Sequence, residues 1–368
     1  MRTIRHLIHA EVLRAVGFIA LAFLALFFFF DLVDELGAID QHALRGYSLA
    51  HALLYVTLQV PNHLYELLPI AVLIGTIYVM ARLAESSEYT ILRTSGLGPL
   101  QALRTLLALG LAFVVLTFAV GDYLAPAANQ AAKNLQARFL GDITVGRTGA
   151  WMKDRTDTRN YSVNVGALRP DGSLGTVRIF EFSNQDQRLL STTRAASGRF
   201  AAGAWELQDV ERRELATVDA PLPEIGIQHL PEWTWHTGIT MDMVTAALLS
   251  PDRMQTLDLF HYINHLQSNG QSAQRYQIEF WRKVFYPISC LVMMVLALPF
   301  AYLHFRSGNI AGYVFLGVLV GISFFLLNNV FGFIGNLRDW EPWLAAAAPG
   351  LLYSALSLGA FSWLVLRQ

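Results

Sequence analysis

The polarity of this chain changes twice. Over residues 16–120, and again over 284–366, apolar residues run in stretches of about twenty, broken only by short polar segments. Between them lies a polar block, residues 122–283, which holds seventeen of the 27 Lys and Arg and eighteen of the 28 Asp and Glu. A helix needs about 20 apolar residues to cross roughly 30 Å of hydrocarbon. On that measure the first part predicts spans at 16–33, 64–81 and 99–120, and the last part spans at 284–303, 310–331 and 343–366. The apolar run 52–81 exceeds one upright crossing, and Pro61 and Pro69 predict an interfacial helix that bends into the second span.

Inside the block the period changes. Residues 122–141 read as a helix that continues the third span. From 142 to 237 the alternation is that of half-buried strands: Tyr161, Val163 and Val165 against Ser162, Asn164 and Gly166, then Trp205 and Leu207 against Glu206 and Gln208. Pro170-Asp171-Gly172 and Ala202-Gly203 supply turn chemistry between them. From Thr256 the helical period returns, with Leu259, Tyr262, Ile263 and Leu266 on one face, and Tyr276 and Phe280 continue it after Gly270. The expected fold is a polytopic α-helical membrane protein of six transmembrane helices, with a β domain inserted between helices 3 and 4. Its parts are membrane residues 1–121, an outer block 122–283 on helical stalks, and membrane residues 284–368.

Composition narrows the function. A net charge of -1 and the absence of a basic stripe interleaved with aromatics argue against nucleic acid. The one cysteine, Cys290, lies in a predicted span, so no disulfide staples the outer block. The first apolar run lacks a small-residue cleavage site and reads as an anchor. Basic residues in the short loops divide eight against two (Arg45 and Arg338), which places both termini in the cytoplasm and the block outside.

Motifs for catalysis are missing: no phosphate loop, no H-E-x-x-H helix, no G-x-S-x-G elbow. His261 and His265, four apart without a third ligand, read as a solvated helix face and not as a metal site. The segment 82–98 is more informative. Ser86-Ser87 start a short helix, Glu88 lies in its first turn, and Gly96 and Gly98-Pro99 stop it. A helix of about three turns is marginal alone, so Ile91 and Leu92 face either a partner or the underside of the bundle. Spans one and five are rich in Phe, including Phe27 to Phe30, Phe315, Phe324, Phe325 and Phe331, which suits an apolar cavity or ordinary lipid-facing packing. Glu66, Asp122, Asn328 and Asn329 are polar groups near the outer ends of spans.

Several local patterns together resemble the LptF/LptG family of lipopolysaccharide export permeases. They are Glu88 with Ser95-Gly96, Ala125-Pro126, the run from Gly149-Ala150-Trp151 to Met152-Lys153-Asp154, and Gly270-Gln271 with Arg275-Tyr276 and Trp281-Arg282-Lys283. The acidic stretch 31–36 favours the LptG-like branch. The resemblance covers the whole chain and implies a non-catalytic half-transporter in the bacterial inner membrane. Its partners would be a paralogous LptF-like permease, a cytoplasmic LptB-like ATPase dimer that holds the ATP and Mg, and periplasmic LptC/LptA-like jellyroll proteins. The β domain would be a periplasmic jellyroll-like module, and no cofactor or metal would be bound by this chain. The segment 84–97 would be the coupling helix, with Glu88, Tyr89, Ile91, Leu92, Ser95 and Gly96 facing the ATPase. Lipopolysaccharide would enter by lateral gates between span one of one permease and span five of the other, past Phe27, Phe30, Asp31, Leu67, Lys133, Arg138, Phe324 and Phe325.

One departure stands out. Where the family carries lysines beyond span one, this chain has Asp31, Asp34, Glu35 and Asp40, with Arg45 alone basic. Lys133 and Arg138 on the stalk, a bridging divalent cation, or the paralogue would then meet the lipid phosphates. Two other function classes remain: a lipoprotein-release or macrolide-type permease, against which the six-span count speaks, and a membrane assembly factor without transport.

Overall fold

A computed structural model describes residues 2–42, 46–86, 88–94, 96, 98–140, 149–156, 158–167, 169, 172–184, 186–201, 203–215, 225–248, 251–302 and 310–364. In chain order the elements begin with α1 (Arg2–His42), α2 (Leu49–Glu85), α3 (Glu88–Thr94) and α4 (Pro99–Ala119). A π-helical turn (Val120–Leu124) carries α4 into α5 (Ala125–Leu140). Six strands follow: β1 (Ala150–Arg155), β2 (Arg159–Val165), β3 (Val177–Ser183), β4 (Leu189–Ala201), β5 (Ala204–Leu215) and β6 (Ile225–Trp235). The chain ends with α6 (Met241–Leu248), α7 (Thr256–Ser268), α8 (Gln274–Phe285), α9 (Ser289–Ala297), α10 (Ile310–Leu337) and α11 (Pro342–Leu364).

The chain forms two compact units. One comprises Met1–Gly37, Ala52–Asn129 and Gln277–Gln368; the other comprises Ala38–His51 and Gln130–Tyr276. Among the described residues five helices are long and apolar enough to cross a bilayer: α1, α2, α4 with its continuation, α10 and α11. A sixth crossing results if α8 and α9, bent by 47° at a short break, count as one span. The apolar stretch of α2 is largely buried, whereas few residues in that of α1 are buried within the chain. The core gathers Val12, Val16, Leu68, Val72, Leu106, Cys290 and Met294 around α2. A second cluster sets Phe324 with Leu73, Met293 and Tyr353.

Three expectations for this unit change. Pro61 and Pro69 both lie inside one helix, so the interfacial segment and the second span are a single element. Proline removes one donor and crowds one carbonyl, and in a membrane helix neighbouring groups can absorb both. The first helix runs on to His42, through residues expected as a polar connection. Where one straight helix from 284 was expected, α8 and α9 are bent about a break at 286–288.

In the second unit the six strands form one antiparallel sheet in the order β1-β2-β3-β4-β5-β6. Neighbours in sequence are neighbours in space, a meander, whereas a jellyroll pairs distant strands across two sheets. At 161–165 the expected alternation is blurred, with Tyr161 and Ser162 half-buried and Asn164 buried; at 205–208 Glu206 and Gln208 are exposed, and on the inner side lie the buried Val163, Val165, Trp205 and Leu207. They share a core with Met152, Ile179, Trp235, Ile239 and Val244, the last on α6. Gly203 closes the β4–β5 hairpin at φ +81°, a value that glycine reaches without steric cost. Ala202, Pro170 and Asp171 lie outside the described residues, as does 141–148, where the first strand was expected to begin.

Candidate functional site

In the helical unit α2 ends at Glu85 and α3 begins at Glu88. It is only seven residues long, shorter than the predicted 84–97. Glu88 occupies its first turn and is exposed. Ile91 is 62% exposed, while Leu92 packs against the core around α2. Thr94 donates its hydroxyl to the Ile91 carbonyl at 2.9 Å. Gly96 turns the chain at φ +101°, which a Cβ would strain. Leu92 thus packs against the bundle, whereas Glu88 and Ile91 are exposed. The side chain of Tyr89 and the whole of Ser95 lie outside the described residues.

Between α1, α2 and α10 opens a cavity of about 580 Å³. Its apolar wall includes Phe18, Ile19, Ile74 and Val314, and one end is charged by Glu11, Arg14 and Arg82. Glu11 and Arg82 pair at 2.8 Å, tying α1 to α2. Phe18 is 73% exposed, the largest bare aromatic on α1. A wall of this kind suits acyl chains, with a charged floor where an aqueous boundary would lie. None of these residues was expected to line a cavity. Phe18 and Ile74 belong to ordinary apolar runs, and only the crossing of three helices makes them neighbours.

Farther along α1, Phe27 stacks on the His63 ring with centroids 4.9 Å apart. His63 Nε2 lies 2.7 Å from an Asp31 carboxylate oxygen. Asp31 therefore has a partner on α2, which the sequence reading missed because 31 and 63 lie 32 residues apart. Phe30 is half exposed and meets Phe29 edge-on. Leu67 is buried in α2. Phe324 is only 2% exposed, packed between Tyr286 and Tyr353, so within the chain it is a core residue; Phe325 beside it is half-buried. The exposed aromatics of α10 are Phe315 and Phe333.

Polar groups cluster at the same level. Tyr286 donates its hydroxyl to the Glu66 carbonyl at 2.6 Å, and Asn62 donates to the Glu66 carboxylate at 3.0 Å. Arg282 binds Glu279 at 2.7 Å and Asn329 at 3.0 Å. Lys283, itself buried, donates to the Gly121 carbonyl in the π turn at 3.0 Å. These bonds hold the α8–α9 break against α2, α4 and α10.

In the second unit, Lys133 is half-buried on α5, with the charges of Arg253 and Asp252 close by. The side chain of Arg138 lies outside the described residues. His265 is buried on α7, not part of a solvated face, while His261 is exposed. Burial holds the His265 imidazole below its ordinary value of 6.5, although the nearby Asp154 carboxylate acts in the opposite direction. Among the described residues no cluster of three or more metal-ligating side chains occurs.

The family model described as "Lipopolysaccharide export system permease LptF/LptG" matches residues 7–367. The chain is 31% identical to the lipopolysaccharide export system permease protein LptG of Escherichia coli (strain K12), over 91% of this chain and 90% of that protein. It is 28% identical to the LptG protein of Haemophilus influenzae, over 88% of this chain and 87% of that one.

Proposed function

Because this chain belongs to the lipopolysaccharide export permease family LptF/LptG, we propose that it is the LptG-type half of a transporter that lifts lipopolysaccharide out of the inner membrane. The family match across nearly the entire chain carries this reading. In it the bent pair α8–α9 crosses as one span, giving six, and both termini face the cytoplasm. The sheet domain is periplasmic, the part of this chain that joins a bridge receiving the lipid.

The exposed apolar side of α1, with Phe18, Leu21, Leu26, Phe29 and Phe30, supports pairing with a second permease. Exposed apolar surface on that scale must be met by lipid or by another helix. The cavity between α1, α2 and α10 is this chain's share of the lipid chamber, with Phe27 and Phe30 farther along α1 and Phe325 on α10. Glu88 and Ile91 dock a separate ATPase, which holds the ATP and Mg. Closure of that ATPase around nucleotide pushes α3, and the linked helices shift the chamber towards a state that no longer accommodates the lipid.

The test is site-specific photocrosslinking in cells, with the crosslinker at Phe30, at Phe325 and, as a control, at Leu358 on α11. Lipopolysaccharide adducts at 30 and 325 but not at 358 are expected. A folded, expressed protein with adducts at none of the three overturns the transport reading.

A further inference from the structure

The sheet has a second face, opposite its apolar core, and its chemistry is unusual. Register places Trp151, Asn164, Arg178, Arg194 and Glu211 in one row across β1 to β5. Lys153, Ser162, Phe180, Thr192 and Arg213 form the adjacent row. Two rows thus hold four cations against one carboxylate, Glu211, which pairs with Arg213 at 2.6 Å and also faces the charge of Arg194. Arg178 and Arg194 are direct cross-strand partners and both exposed. Like charges placed opposite each other destabilise a sheet, and among the described residues no ion pair reaches either of them. A depression of about 220 Å³ opens between them, lined by Thr192 and Phe180 with Arg213 and Glu211 also on its wall. Beside it Trp151, 49% exposed, stacks on Phe180 with centroids 5.8 Å apart and their planes within 23°.

We propose that this face binds a phosphorylated saccharide. Guanidinium forks match phosphate oxygens in pairs, and a bound anion relieves the repulsion between Arg178 and Arg194. The Trp151–Phe180 pair offers a flat, electron-rich surface on which the C–H face of a sugar ring rests. An acidic peptide would satisfy the arginines equally but has no use for an aromatic platform of that shape. The ligand class follows from the sheet face alone. That the saccharide is the head of the exported lipid rests on the export reading.

The experiment uses the full chain in nanodiscs. The probe is lipid-free core oligosaccharide released from lipopolysaccharide with its phosphates intact, and the same material dephosphorylated is the comparison. Binding is expected to weaken at least tenfold on dephosphorylation and in the double variant Arg178→Gln, Arg194→Gln. It should weaken several-fold in Trp151→Ala, and it should fall with added salt. The pair Arg178→Lys, Arg194→Lys, which keeps charge but loses the fork, gives an intermediate loss and serves if the Gln variant melts early. Binding unchanged by either arginine pair overturns the proposal. So does equal competition by inorganic polyphosphate or polyglutamate together with no effect of Trp151→Ala, because the face is then a plain anion surface. The photocrosslinking result is independent: lipid adducts without oligosaccharide binding would remove this site and leave the export reading standing.

Discussion

Asp154 carries more of the sheet domain than its place at the end of β1 suggests. Its buried carboxylate accepts the hydroxyl of Thr237 and the Gly238 N–H, the latter at 3.0 Å, and so fixes the chain where it leaves β6. Trp205 continues the closure by donating its indole N–H to the Ile239 carbonyl at 2.8 Å. Asp154→Ala strands both donors, and a thermal melt of the full-length protein should show a loss of about 1–3 kcal/mol. At the other end of the same motif, Gly149 sits at φ +72°, where an added Cβ would lie 2.4 Å from the Val165 carbonyl oxygen. Gly149→Ala is therefore expected to lower the melting temperature through backbone strain of about 1–3 kcal/mol. The motif from Gly149 to Asp154 was visible in the sequence as a pattern. Its reasons were not, because Val165, Thr237 and Gly238 meet it only across strands.

Single elements show how packing overrides local period. Between α4 and α5 the helix widens into a π turn, a feature often found at functional sites. Gly121 in that turn lies so close to the Tyr65 ring that a Cβ would come within 2.3 Å of it, and its carbonyl receives Lys283. Gly121→Ala should destabilise the helical unit by about 1–3 kcal/mol, read as early loss of helix signal on heating in detergent. Nothing in residues 120–124 announces this turn; the partner that uses it lies 162 residues away. On α7 the apolar face of Leu259, Tyr262, Ile263 and Leu266 was legible from spacing, and all four are buried. His265 is buried with them, which spacing alone missed because a polar residue beside a stripe reads as its edge. Its lowered folded-state value makes the unfolded chain the better proton acceptor. Its contribution is thus fully present above about pH 6.5 and lost as the pH falls further. The melting temperature should drop between pH 7.5 and 5.5, and His265→Gln should flatten part of that drop; an unchanged slope would sink the assignment.

At the scale of the whole molecule the exposed half of α3 sets the clearest prediction. Glu88→Ala should leave the melting temperature within a degree or two of the parent, because the side chain is exposed. Under the proposed export function, co-purification of the partner ATPase should fall sharply, and a pull-down with undiminished ATPase would remove Glu88 from the proposed docking surface. The long apolar runs, the polar block between them and the change of period inside it are all local properties. Hydrophobic length and alternation act on neighbouring residues, so the sequence by itself determined a membrane protein with an inserted β domain and the segment that became α3. Tertiary structure decided the rest. The Asp31–His63 pair, the cavity formed where α1, α2 and α10 cross, and the rows that bring Trp151 beside Arg178 and Arg194 all join residues far apart in the chain. Pairing register and helix crossing are settled by the free energy of the whole packed unit, and no window along the sequence contains that sum.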